Sequence, residues 1–181
     1  MNGAHGTCVS RARSICNNGF NASNGRRGHG VYFWGYLNQN LESYAKSLAM
    51  AWWRYSHKKG DYSKDSDSSC AVILSGINIP EEYLLDLEHQ AIREKLIEYS
   101  TKAYAKLEGE DDEKLCTMYD MFVQELESQL DIEFKGIHVK VQAPKKFEKT
   151  LPQDITGQPS CYIVKDVSTI EVRCLEELGN G

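Results

Sequence analysis

The chain has 181 residues, 41% of them hydrophobic and 26% charged, with a formal net charge of −5; this is the composition of a folded protein with a core, and it excludes the disordered, collagen-like and membrane-spanning classes. An acidic whole lacks the broad positive field of non-specific nucleic-acid binding, although Arg11, Arg13, Arg26 and Arg27 gather near the start and Lys145, Lys146 and Lys149 near the end. No run approaches the ~20 apolar residues of a membrane span and no apolar leader opens the chain, so a cytoplasmic protein without a membrane role is expected.

The six cysteines (Cys8, Cys16, Cys70, Cys116, Cys161, Cys174) form no CxxC pair and no Cys/His cluster at zinc-ligand spacing. Reduced, mostly buried thiols and no metal are expected.

In chain order, "HGT" at 5–7 predicts the end of a very short strand. Thr7 can then cap a helix through "CVSRARSICNN", where Val9, Ala12, Ile15 and Cys16 mark one face. Gly19 suits the left-handed position past the end of that helix. Residues 21–30 read as a polar, glycine-rich loop that delivers the chain into a short strand at "GVYFW". Leu41, Tyr44, Ala45, Leu48, Ala49 and Trp52 recur with the helix period, and residues 57–69 read as an exposed loop or mobile excursion.

"CAVILSGINI" is a continuous apolar run ending at Pro80, the pattern of a central strand buried on both faces. "EHQAIREKLIEYSTKAYAKLEG" and "DDEKLCTMYDMFVQELESQL" predict two amphipathic helices joined around Gly109, expected as an antiparallel pair; Leu115, Met118, Tyr119, Phe122 and Leu126 share a face of the second. "GIHVKVQA" alternates Ile137, Val139 and Val141 against His138, Lys140 and Gln142, a strand with one buried face. Residues 143–160 read as a loop with Pro144, Pro152 and Pro159. "CYIVKD" and "TIEVRCL" are two closing strands broken at Val167 and Ser168. The expected class is α+β, as a single domain over 1–181 with a helical insertion at 87–130.

The order "HGT", a helix ending in "NGF", a glycine-rich loop, "GHGVYFW" and a helix with "ESYAKSLA" resembles the NAD-dependent ADP-ribosyltransferases of the poly(ADP-ribose) polymerase and diphtheria-toxin branch. The resemblance covers residues 1–50 well, the last strands more loosely, and the middle not at all. It implies a split antiparallel or mixed sheet with an N-terminal cleft that takes NAD as substrate. Carried over position by position, it implies that His5 hydrogen-bonds the nicotinamide-side ribose, that the Gly6 backbone pairs with the carboxamide, and that Tyr32 and Tyr44 stack on the two faces of the nicotinamide ring. Gly30 belongs to the same clamp. A pyridinium cation favours aromatic faces, a primary amide needs one donor and one acceptor, and glycine permits the close approach. Thr7 either contacts the ribose or caps the helix. Tyr44 comes one residue later after Tyr32 than in that pattern, which makes Ser43 the stand-in for a serine on the carboxamide. Arg26 and Arg27 meet the pyrophosphate or adenosine end, or are solvated loop residues.

The pattern departs in "PSCYIVKD", where Cys161 falls at the position of the family's glutamate. That glutamate orients the ribose and stabilises the oxocarbenium-like state as nicotinamide leaves. Gln158, Asp166 and Glu171 lie nearby in sequence, but Asp166 and Glu171 are too far along a strand to reach the same point. The resemblance implies a mono-ADP-ribosyltransferase, a toxin, effector or defence protein in type, with a protein or nucleic-acid acceptor. The alternative is an inactive NAD-binding or protein-interaction module of the same fold. In either case the 87–130 helices bind a protein partner or cover the sheet. A lesser alternative is an RNA 2′-phosphotransferase-like enzyme, which needs more arginines around its histidine than Arg26 and Arg27 supply.

Overall fold

A computed structural model describes residues 1–144, 147 and 157–179. Lys145, Lys146, Lys149 and Pro152 of the sequence reading lie outside the described residues. Within them the elements run β1 (Asn2–Cys8), α1 (Val9–Asn18), β2 (Ser23–Gly25), β3 (Gly28–Tyr36), α2 (Glu42–Lys59), β4 (Cys70–Ile77), β5 (Leu84–Asp86), α3 (Gln90–Ala103), α4 (Asp111–Leu130), β6 (Gly136–Lys140), β7 (Ser160–Val164) and β8 (Ile170–Gly179). The class is α+β, as expected. An eight-stranded mixed sheet runs in the order β5-β6-β7-β3-β1-β4-β8, with β2 pairing β3. Among the described strands only β5 and β6 pair in parallel, and α3 and α4 form the crossover between them.

The N-terminal strand is therefore central and longer than "HGT" suggested. Strand β4 beside it is buried at every position, which its unbroken apolar run dictates. Helix α1 covers one face of the sheet, where Val9 and Ala12 meet Val31, Phe33, Ile73, Ile77 and Tyr162. Helices α2 and α4 cover the other. Ala45 and Ala49 of α2 pack on Ala4, Val72 and Leu74, and Met118, Phe122 and Leu126 of α4 pack on Ile137, Val139, Cys161 and Ile163. Full burial of such side chains contributes about 1.5–3 kcal/mol each. The 87–130 segment is thus part of the core, with Tyr99 of α3 against Phe122 of α4 at a ring separation of 5.6 Å.

Termini follow local chemistry. Asp111, Asp112 and Glu113 fill the first turn of α4, and His57, Lys58 and Lys59 the last turn of α2, the signs that suit each end of the helix dipole.

Three local expectations need correcting. Thr7 is not a helix cap: it is a buried strand residue facing Tyr62, and Cys8 holds the cap position of α1 without a side-chain bond. Residues 21–30 are a hairpin, with Gly25 opposite Gly28 across Arg26 and Arg27, because Gly28 at φ +103° permits the reversal. Residues 57–69 are not a simple excursion. The helix continues to Lys59, and Tyr62 returns to the core against Cys8 and Cys70, with the Arg11 guanidinium 4.9 Å over its ring. The two closing strands, broken at Val167 and Ser168 as expected, sit apart in the sheet. Strand β7 lies between β6 and β3, while β8 forms the opposite edge on β4.

Candidate functional site

The N-terminal motifs converge where β1 and β3 part. Met1 and Ile77 exchange backbone hydrogen bonds of 3.0 and 2.9 Å. Antiparallel alternation then turns the peptide groups of Gly3, His5 and Thr7 towards β4, a phase kept by the Val9 N–H to Ser69 carbonyl bond of 2.9 Å, and turns those of Ala4, Gly6 and Cys8 towards β3. The register of β1 with β3 runs Asn2 to Tyr36, Gly3 to Gly35 and Ala4 to Trp34, and ends there. The Gly6 N–H and C=O thus face an interval between diverging strands, one donor and one acceptor on a single residue.

His5 bridges that interval. Its Nδ1–H donates to the Tyr32 carbonyl at 2.9 Å, which fixes the tautomer, and Nε2 has no hydrogen-bond partner among the described residues. The ring packs edge-on to Phe20 at 5.3 Å and tilted to Phe33 at 5.7 Å. Burial lowers its pKa, opposed in part by the bond to Tyr32, so the imidazole is neutral. Gly6 lies on the opposite face, where α2 comes so close that a Cβ would sit 2.0 Å from the Ala49 carbonyl oxygen.

The proposed ring clamp is dispersed around this point. The Tyr32 side chain points to the α2/α4 face and folds back on its own hairpin: its hydroxyl donates to the Gly28 carbonyl at 2.7 Å and accepts the Arg27 N–H at 3.0 Å. Burial raises its pKa. Gly25 is required there, because a Cβ would lie 2.6 Å from the phenol ring. Gly30 allows β3 to close on β7, against Ile163 and the Val164 carbonyl. Tyr44, half-buried on α2, meets Phe147 edge-on at 5.5 Å. Ser43 is exposed, its carbonyl accepting the Ser47 hydroxyl at 2.9 Å.

Cys161 stands across from Trp34 on β7 and belongs to the core under α4. Burial pushes its thiol up to about 12, so no negative charge forms there at neutral pH. Among the described residues the charge that acts on it is positive: Arg27, whose guanidinium lies 5.0 Å over the Tyr119 ring and whose Nε is buried with no hydrogen-bond partner among them. Arg26 instead pairs with Asp112 at 3.0 Å on the surface. Asp166 caps the turn before β8, and Glu171 lies on that far edge strand, neither near Cys161.

Two cavities are described elsewhere, one of about 530 Å³ between α3 and α4 and one of about 540 Å³ bounded by α4, β6 and the end of β7. The sequence reading gave no role to Asp86, His138 and Ser160, which the pairing of β5, β6 and β7 brings into hydrogen-bond contact. Their spacing along the chain carries no signal of this. No helix among the described residues is long and apolar enough to cross a membrane. Comparison with protein-family models, curated proteins and solved structures gives no match.

Proposed function

We propose that this protein holds the nicotinamide end of NAD at the Gly6 edge and acts as a mono-ADP-ribosyltransferase towards a protein or nucleic-acid acceptor. The observation that carries the reading is the parting of β1 from β3, which leaves the Gly6 N–H and C=O facing the interval that His5 spans. A primary carboxamide needs that donor and acceptor pair. The His5 Nε2 is available to a ribose hydroxyl, Tyr44 lies on the helix that covers Gly6, and Arg27, without a carboxylate partner among the described residues, offers a cation to a phosphate. In the transfer, the bond between nicotinamide and ribose breaks with its electron pair leaving on nicotinamide, and the acceptor's nucleophile attacks the sugar carbon.

Incubation with NAD labelled on its adenylate phosphate and a lysate, with and without nuclease, tests this. Transfer is expected for the natural protein and not for His5→Ala. Label that persists undiminished in this variant contradicts the site, and label removed by nuclease identifies a nucleic-acid acceptor.

A second reading, an NAD-binding module that transfers nothing, is favoured by the neutral buried thiol of Cys161 beside the Arg27 cation, the wrong sign to stabilise an oxocarbenium ion. Under it, Cys161→Glu gains transfer activity that the natural chain lacks.

A further inference from the structure

On the face of the sheet opposite Cys161, three side chains from adjacent strands form a relay. His138 on β6 stands between Asp86 on β5 and Ser160 at the start of β7: its Nδ1 is 2.8 Å from Asp86 Oδ1, and its Nε2 is 3.2 Å from Ser160 Oγ. We propose that this is a nucleophilic serine site, in which Ser160 attacks the carbonyl of a carboxylic ester, His138 is the general base and Asp86 its orienting carboxylate.

Each role follows from position. Asp86 is opposite His138 in the parallel β5–β6 pair, and the same carboxylate oxygen accepts the Glu88 N–H at 3.0 Å, which fixes the group. A carboxylate on Nδ1 selects the tautomer with its proton there and leaves Nε2 to accept from the serine hydroxyl. The imidazole is held from the side by the Tyr162 ring, its partner across β6–β7, at 5.3 Å. Ser160 is half-buried and the Asp86 side chain about half-exposed, so the row opens to solvent along the sheet edge. The Val141 N–H takes the Pro159 carbonyl at 3.0 Å, so alternation turns the Ser160 N–H to the β3 side, one position past the last registered pair, Trp34 with Cys161.

The chemistry closes with water alone. Ser160 Oγ bonds to the carbonyl carbon as its proton passes to His138 Nε2. The tetrahedral adduct collapses, the carbon–oxygen bond to the alcohol breaks, and the leaving alkoxide takes that proton. Water, deprotonated by the same nitrogen, then hydrolyses the acyl-serine and restores the site. This site is independent of the NAD reading.

A fluorophosphonate probe and p-nitrophenyl acetate test it on the full chain, with peptide mass mapping of the probe and release of p-nitrophenolate as readouts. The natural protein is expected to carry the probe on Ser160 and to hydrolyse the ester. Ser160→Ala should lose both, and His138→Gln should lower both by at least about 100-fold. Asp86→Asn, a half-exposed change of one atom, should lower both by at least about tenfold with the fold retained by circular dichroism. An unmodified Ser160 under conditions that saturate a control serine hydrolase overturns the proposal. So does modification of Ser160 at the same rate in folded Asp86→Asn and His138→Gln proteins.

Discussion

Adding one methyl group at Gly6 tests the packing that sets up the strand interval. A Cβ there would lie 2.0 Å from the Ala49 carbonyl oxygen, 2.6 Å from its carbon and 3.1 Å from its Cα, where ordinary contact starts at 3.4 Å. The obstacle is helix backbone, which has no rotamer to move to, so α2 has to retreat by about 1.4 Å from the sheet. That retreat loosens Ala45 and Ala49 from Ala4, Val72 and Leu74 together. Overpacking of a core costs about 1–3 kcal/mol, and a clash with backbone belongs at the upper end. For a chain of this size each kcal/mol lowers Tm by about 2–4 °C, so Gly6→Ala should lose about 6–12 °C. Gly60→Ala is the comparison, because nothing lies within 4 Å of its Cβ and its cost is conformational, from φ +85° at the end of α2. It should cost about 1–2 kcal/mol. Thermal unfolding followed by circular dichroism, with urea titration for the free energies, reads both. A Gly6→Ala protein melting within about 2 °C of the natural one would refute the close α2–β1 approach.

Tyr32→Phe removes the acceptor of the Arg27 N–H and the donor to the Gly28 carbonyl, and should cost about 1–3 kcal/mol in urea unfolding; an unchanged midpoint contradicts the folded-back phenol. Iodoacetamide on the native protein should modify the exposed Cys16 and Cys174 and spare Cys161, with peptide mapping as the check; equal rates would remove Cys161 from the core. His5 has a folded pKa below its unfolded value of 6.5, so the unfolded chain binds more protons as the pH falls through that value. Its contribution to stability is complete above pH 6.5 and declines as the pH drops towards the lowered folded pKa. His5→Gln should therefore flatten the loss of stability between about pH 7.5 and 5.5, and an identical pH slope in both proteins would contradict a neutral, buried imidazole.

What the sequence made legible was set by the strength of local periodicity. The apolar run of β4, the helical stripe of α4 from Leu115 to Leu126 and the alternation of β6 each appear as expected, because burial on two faces, one stripe or one face writes a different pattern. Strands β2 and β5 were not legible. Each has only three residues and is specified by its partner strand rather than by its own composition. Thr7 carried a cap signal that lost to strand pairing opposite Ala71. The position of His5 and Gly6 together was readable from "HGT", but the interval they face depends on where β1 leaves β3, which no local pattern encodes. The Ser160, His138 and Asp86 relay joins residues 22 and 52 positions apart and exists only through register.

Amide resonances of 15N-labelled protein during titration with NAD test the central claim most directly. If the carboxamide pairs with the Gly6 edge, the Gly6 and Tyr32 amides shift in a saturable way, and Leu107, in the turn between α3 and α4, stays in place. Saturable shifts confined to α3 and α4, or no shift at Gly6 with NAD at several millimolar, about the weakest affinity a specific site would have, would contradict it.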